Sequence, residues 1–321
     1  MLNILNKIKE YQTIIIHRHS NPDLDALGSQ IGLRDTLRLN FKDKNIYAVG
    51  DMNRFTFLGE MDEIEDSVYE GALCIICDVA VSSMISDYRY FNAKEVIVID
   101  HHQNETNLST KEKEFTLPLY RYVDTTSGAC AAIIADMIKE WGLEVPESAA
   151  TAMYGGIITD TGRFQYGNLA PILKTSAYLV ENKANPQYIY RNLYVETLES
   201  RLMKNYFQSK MQLTKKNVAY MFNDKDVFEK FDVDTFTVSR GMVNLMAGID
   251  VVKIWANFTY DVKIGKVICE FRSRDITIVD IAKKYGGGGH ANACGATIDD
   301  FTVAMQVLED FDNLLEEIEN V

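Results

Sequence analysis

The five histidines of this 321-residue chain fall in three short polar clusters, and two of those clusters carry aspartates. His17 and His19 open the segment His-Arg-His-Ser-Asn-Pro-Asp-Leu-Asp over residues 17–25, which brings Asp23 and Asp25. His101 and His102 follow Asp100, and His290 ends a run of four glycines, Gly286 to Gly289. Asp78 and Asp160 each follow an apolar run. A lone Asp-x-Asp in a loop is more often a helix cap than a ligand pair, and an isolated strand-end aspartate is a weak signal. The combination is much stronger. Several carboxylates gathered with imidazoles would repel and raise one another's pKa unless cations lay between them. Two divalent ions would neutralise Asp23, Asp25, Asp78 and Asp160. Oxygen and nitrogen donors without thiolate suit Mn²⁺, with Mg²⁺, Co²⁺ or Fe²⁺ as alternatives. Such a pair activates water and clamps the oxygens of a phosphoryl displacement.

The elements that must position these residues can be read from the same sequence. Thr13–Ile16, Asn45–Val49, Ala72–Cys77 and Val96–Ile99 read as short apolar strands, the first, third and fourth ending at a candidate ligand cluster. A helix is expected over 26–39, with Leu27, Ile31, Arg34 and Arg38 at three- and four-residue spacing, and another from about Gly128 to Trp141 with Ser127 as its N-cap. A third begins near Pro146 and ends in the small residues before Asp160, Thr161 and Gly162. This rhythm predicts an α/β fold, a parallel Rossmann-like sheet covered on both faces, with ligands outside the carboxyl ends of its strands. Residues 1–182 are expected to form that domain, 183–215 a helical linker, and 216–321 a smaller α+β domain with a hairpin turning at Lys263-Ile264-Gly265. Cys74 and Cys77 form a CxxC, but within a strand-like run they read as packing rather than as a redox pair.

Taken in order, His19-x3-Asp23-x-Asp25, Asp78, Asp100-His101-His102 and Asp160-Thr161-Gly162 resemble the four motifs of the DHH phosphoesterase superfamily. The resemblance implies His19, Asp23 and Asp78 on one metal, and Asp25, Asp78, His101 and Asp160 on the other, with Asp78 bridging. It implies that Asp100 orients a histidine and that His102 faces the substrate phosphate. Many members have Asp-Gly-Asp where this chain has Asp23-Leu24-Asp25, and cyclic-dinucleotide phosphodiesterases carry a bulky residue there. His17 matches no motif position and is expected to be a core or supporting histidine.

In the second half, the glycine run allows a backbone nest whose N–H groups surround an anion, with His290 as a further donor. Arg272 and Ser273 end a strand, where a guanidinium can grip phosphate. Together these resemble the DHH-associated C-terminal domain, which implies substrate roles for Arg272, Ser273, Gly288, Gly289 and His290, with Arg240 a weaker candidate. The two-domain form is similar to the stand-alone oligoribonucleases called nanoRNases. That implies hydrolysis of RNA two to a few nucleotides long and of a mononucleotide bisphosphate, 3′-phosphoadenosine 5′-phosphate, with the substrate gripped between two domains. A di-adenylate phosphodiesterase, cyclic or linear, is the nearest alternative, and a non-catalytic nucleotide-binding protein a more distant one. The net charge of −13 argues against a broad basic surface for long duplex nucleic acid. No run approaches the ~20 apolar residues of a membrane span, so no membrane partner is expected. The odd count of five cysteines, mostly in apolar runs, fits a reducing compartment, the cytoplasm by default, and a homodimer is left open.

Overall fold

A computed structural model describes residues 1–51, 55–103 and 107–319, which form two compact units, Met1–Val195 and Glu196–Val321. The first unit opens with α1 (Leu2–Glu10), β1 (Thr13–His17), α2 (Leu24–Asn40) and β2 (Asn45–Ala48). It continues with β3 (Leu73–Cys77), β4 (Glu95–Asp100) and β5 (Leu119–Val123), then α3 (Cys130–Trp141), α4 (Glu147–Asp160), α5 (Leu169–Glu181) and α6 (Pro186–Tyr194). All strand pairings in its sheet are parallel, in the order β2-β1-β3-β4-β5. The order reverses between β1 and β3, so the loops leaving those two strands part there and open a crevice at their carboxyl ends.

The sheet is covered on both faces, as the apolar strands predict, but by different means. On one face Ile14, Ile16, Ile75, Cys77, Ile97 and Ile99 pack with residues of α2, α3 and α4. On the other, Ile15, Cys74, Ile76, Val96 and Val98 pack against Tyr69, Tyr90 and Leu108, which lie in short turns and loops rather than in long helices. Cys74 and Cys77 therefore sit on opposite faces of β3, both fully buried, which fits packing rather than redox chemistry.

α2 is the central post of the unit. It is buried on nearly every side from Leu24 to Leu37, so it carries little amphipathic contrast. Even its Gln30 is buried, with Nε2 donating to Ile16 O at 2.6 Å and Val49 O at 2.8 Å. Its contact with α4 is close enough to need glycine: a Cβ on Gly28 would fall 2.5 Å from Ala152 O and 3.3 Å from Gly156 N. Both are backbone atoms that cannot swing away. Gly28→Ala should therefore cost about 1–3 kcal/mol, the usual penalty for overpacking a core. Equilibrium urea unfolding would show it as a lower midpoint with an unchanged slope, and an unchanged midpoint would mean the two helices can separate freely.

The second unit contains α7 (Leu198–Ser209), β6 (Gln212–Leu213), β7 (Ala219–Asn223), α8 (Asp226–Lys230) and α9 (Thr235–Met242). It ends with β8 (Ile254–Asp261), β9 (Lys266–Ser273), α10 (Val279–Lys284), β10 (Gly288–His290), β11 (Ala293–Ile298) and α11 (Phe301–Glu319). Its sheet is mixed, ordered β10-β11-β9-β8-β7-β6, with the expected β8–β9 hairpin at its centre. The helices expected as a linker over 183–215 are instead shared between the units. Ile189 of α6 is buried beside Gly155 of α4, whereas Phe207 of α7 is buried with Met221, Val238 and Met246 of the second unit.

Candidate metal centre

Each side chain at the carboxyl edge of the first sheet is placed by a local device. Asp23 is the N-cap of α2, its Oδ1 accepting the backbone N–H of Asp25 and of Ala26, both at 3.0 Å. The capping reading of this aspartate is thus correct, and its half-exposed carboxylate still lies 3.8 Å from His19 Nε2. Asp25, two residues on, is fully buried. Its two oxygens accept N–H groups from the start of α3, Cys130 N to Oδ2 at 2.6 Å and Ala131 N to Oδ1 at 2.8 Å. The expected cap, Ser127, does not serve; Ala129 occupies the N-cap position without a side-chain bond, and Ser127 Oγ donates to Ala129 O. Gly156 makes room for this arrangement, since a Cβ there would stand 2.9 Å from Asp25 Oδ1.

Asp78 follows β3 with a left-handed backbone (φ 57), a conformation that aspartate tolerates better than most residues. Its carboxylate is almost wholly buried, and Oδ1 has no hydrogen-bond partner among the described residues. A buried anionic oxygen left without a donor calls for a cation nearby. Asp100 Oδ1 accepts His101 N at 2.8 Å, and His102 Nδ1 lies 2.7 Å from the same oxygen, so Asp100 shapes the turn and fixes the second ring.

The imidazoles converge on these carboxylates. His101 Nε2 lies 3.7 Å from Asp25 Oδ2, 3.5 Å from Asp78 Oδ1 and 3.4 Å from Asp160 Oδ2. His19 Nε2 lies 3.8 Å from Asp78 Oδ2, and His102 Nδ1 3.7 Å from Asp78 Oδ1. His19 Nδ1 contacts Ser20 O at 2.8 Å and His101 Nδ1 contacts Ser127 O at 3.3 Å. Carbonyl acceptors place a proton on Nδ1 and turn each Nε2 toward the carboxylates, the orientation a metal-ligating histidine needs. Three overlapping groups have donor atoms close enough to share an ion: His19, Asp23 and Asp78; Asp25, His101 and Asp160; Asp78, His101 and His102. A cavity of about 180 Å³ lies among His19, Asp23, Asp78, His101, His102 and Asp160, with Ala80 and Met84 as apolar walls. All six expected ligands are therefore brought together. Met84, Ala80 and the Ser20 and Ser127 carbonyls gave no sign in the sequence, because an apolar wall and a backbone oxygen have no motif.

Electrostatics carry the same message. Burial raises Asp25 well above the carboxylate range, and the charges of Asp78 and Asp160 push it further. Burial also raises Asp160 to about 6, with the charge of Asp78 adding to it. Burial opposes the protonation of His101, but Asp78, Asp25 and Asp160 outweigh it and raise that ring to about 9. Each shift makes the folded state hold its proton more tightly than the unfolded chain. For Asp160 the stabilisation is full below its unfolded value of 3.8 and falls until the pH passes about 6. For His101 it is full below 6.5 and is lost as the pH rises through about 9. Both signs agree, so stability in chelator should contain a component that declines with rising pH. Thermal melts of Asp160→Asn in chelator should decline less steeply than the wild type between pH 4 and 6; parallel curves would contradict the assignment.

His17 stands apart from the centre. It is fully buried, its ring 5.7 Å from Tyr69 and 6.2 Å from Tyr90, and burial takes it down to about 4. It is a neutral core residue, as expected.

In the second unit the four glycines form no nest at a helix end. Gly286 (φ 73) closes α10, with its N–H on Lys283 O, and Gly288–His290 then forms β10, antiparallel to β11. Gly287 and Gly289 are pressed onto that neighbour: a Cβ on them would fall 2.0 Å from Gly295 O and 2.7 Å from Ala293 O. Register pairs Arg272 with Ala293 and Ala293 with His290, so the guanidinium and imidazole share one face of the sheet with only a methyl between them. His290, Gly288 and Gly289 are exposed. Arg272 is half-buried and held by Glu270 at 2.9 Å and by Phe271 O at 2.8 Å. Ser273 Oγ donates to Ile276 O and accepts from Asn292, so it serves a turn. Arg240 is exposed on α9, over the ring of Phe236.

Comparison with known proteins agrees with this architecture. Residues 13–157 match the DHH family, N-terminal domain, and residues 218–321 match the DHHA1 domain. The bifunctional oligoribonuclease and PAP phosphatase NrnA of Bacillus subtilis is 33% identical, over 98% of this chain and 99% of its own length. The cyclic-di-AMP phosphodiesterase PdeA of Listeria monocytogenes is 23% identical over 92% of this chain, which spans only 46% of that protein. Among solved structures, an exopolyphosphatase-related protein from Bacteroides fragilis shares the fold, with a TM-score of 0.76 at 23% identity, covering 98% of this chain and 96% of its own. Motif order, strand-end geometry and full-length similarity agree that this chain belongs to the DHH family, with a DHHA1 domain as its second unit.

Proposed function

We propose that the protein is a metal-dependent phosphoesterase that hydrolyses very short RNA and 3′-phosphoadenosine 5′-phosphate. The observation that carries this reading is Asp78, whose buried Oδ1, without a hydrogen-bond partner among the described residues, lies among His101, His102 and the other carboxylates. Full-length similarity to bifunctional oligoribonucleases and PAP phosphatases supports the substrate class. His19, Asp23 and Asp78 would hold one divalent ion, and Asp25, Asp78, His101 and Asp160 the other, with Mn²⁺ best suited to these donors. Such ions supply Lewis acidity, which activates water near neutral pH and neutralises phosphoryl oxygens. Asp100 holds the His102 ring through Nδ1, leaving Nε2 of this part-exposed residue to meet a substrate phosphate. Arg272 and His290 are assigned to anionic groups on the remainder of the substrate, and exposed Gly288 and Gly289 to its backbone contacts. Ser273, next to Arg272 at the end of β9, ties that strand end to Ile276 and Asn292. The cytoplasm is the compartment we assign.

A di-adenylate phosphodiesterase remains the neighbouring activity, but Leu24 does not favour it here. That residue is 1% exposed and lies against Gly155, where a Cβ would come within 3.1 Å of it, so its bulk fills the contact between α2 and α4 rather than a substrate site. Purified protein in Mn²⁺ should turn over a diribonucleotide and 3′-phosphoadenosine 5′-phosphate faster than long RNA, a cyclic dinucleotide or pyrophosphate. Preference for long RNA or pyrophosphate would refute the reading. Arg272→Ala should raise KM about tenfold or more, the loss of one charge-assisted contact, without changing Mn²⁺ affinity. Weaker Mn²⁺ binding in that variant would remove Arg272 from a substrate role.

A further inference from the structure

Among the described residues of the first unit, the segment after Asp160 has the most contorted backbone. Gly162, Arg163 and Phe164 are consecutive left-handed residues, with φ of 54, 62 and 64. Non-glycine residues in this region cost of order 1–3 kcal/mol each, and such strain gathers at functional sites. The bend is tied down by Arg163 N on Ile158 O at 2.8 Å, Phe164 N on Thr161 Oγ1 at 3.1 Å and Tyr166 N on Thr161 O at 3.0 Å. It sends Phe164 toward the core and leaves Arg163 and Tyr166 exposed.

What it exposes is unusual for a surface turn. The Tyr166 ring is 66% exposed and lies over Gly162, where a Cβ would fall 2.6 Å from it. Arg163 has no ion-pair partner among the described residues, and its guanidinium stacks 5.3 Å from the centroid of Tyr194. Tyr194 stands one turn from Tyr190 on α6, their rings 5.2 Å apart. The contacts of Ile189 with Gly155 and of Tyr194 with Arg163 show that α6 runs alongside α4 and ends beside the Asp160 bend. Two exposed tyrosines, and a guanidinium with no ion pair among the described residues, thus lie beside the bend that follows Asp160.

We propose that Arg163, Tyr166 and Tyr194 form a nucleoside-binding patch, in which a base of the substrate stacks on the tyrosines while Arg163 pairs with a phosphate that is not cleaved. This rests on the phosphodiesterase reading above and adds the source of preference for nucleotides over other phosphoesters. An exposed aromatic face binds any base, and arginine adds charge without sequence selectivity. The patch therefore makes the enzyme indifferent to base identity while requiring that a base be present.

The test compares a diribonucleotide with the same molecule lacking one base, removed from either nucleotide in turn, in Mn²⁺. The variants are Tyr166→Ala, Tyr194→Ala and Arg163→Gly, the last chosen because glycine accepts the left-handed bend. Stacking contacts of this kind predict a fall in kcat/KM on the intact dinucleotide of about tenfold or more. The wild type should cleave one of the two abasic substrates correspondingly slowly, and the tyrosine variants should lose nothing further on it. Mn²⁺ affinity by calorimetry should be unchanged. Equal losses on intact and abasic substrates, or no loss on the intact one, would overturn the patch while leaving the phosphodiesterase reading in place. Failure of the wild type to cleave any dinucleotide would remove both.

Discussion

Asp78→Asn should reduce hydrolysis of a diribonucleotide by at least about 10³-fold, because it removes several kcal/mol of charge organisation at one stroke. Asp78 belongs to two of the candidate metal groups, facing His19 through Oδ2 and both His101 and His102 through Oδ1. No other carboxylate approaches three imidazoles among the described residues. Asparagine is the informative replacement, since it keeps the shape and tolerates the left-handed backbone at this position. Calorimetric titration should show Mn²⁺ binding weakened at both sites rather than at one. In chelator the variant's melting temperature should change little, since relief of repulsion with Asp25 and Asp160 offsets the loss of the charge that faces His101. Retention of activity would sink the dimetal assignment, and a large loss of melting temperature would make Asp78 a structural residue instead.

Asp25 and Asp160 are expected to separate in the opposite way. Both should be required for activity, but only Asp25 also holds the fold. Asp25→Ala strips two buried N–H groups at the start of α3 of their acceptor, and each buried donor left unmet costs about 1–3 kcal/mol. Relief from charge repulsion offsets part of that, so a net loss of about 2 kcal/mol is expected, read from urea unfolding in chelator. Asp160 is the last residue of α4, more exposed, and its carboxylate makes no hydrogen bond among the described residues. Asp160→Ala should abolish turnover with stability unchanged or slightly raised. Equal destabilisation by the two substitutions would contradict this division of labour.

The legible parts of the molecule are those where one local rule suffices. Continuous apolar runs gave β1, β3 and β4, and a carboxylate or histidine directly after such a run lands at the sheet edge by topology alone. β5, Leu-Tyr-Arg-Tyr-Val, escaped because it lies at the sheet edge, neither continuously apolar nor cleanly alternating. The Asp25 cap is hidden for a different reason: donor and acceptor are 105 residues apart, so a local rule points to the nearby Ser127. Four consecutive glycines signal conformational freedom, whereas close approach to β11 is what Gly287 and Gly289 supply. The helices after residue 183 could not be divided from sequence, because amphipathic segments at a boundary do not declare which core receives their apolar face.

The five cysteines turn the fold into its own chemical clock. All are buried, and burial raises each thiol, so none is a ready nucleophile while the chain is folded. Cys130 donates its backbone N–H to Asp25 and its Sγ to Ile99 O, directly beneath the carboxylate cluster, whereas Cys269 and Cys294 lie in the other unit. The extent to which each thiol becomes alkylated then reports how often its own core opens, recorded separately for two bodies within one chain.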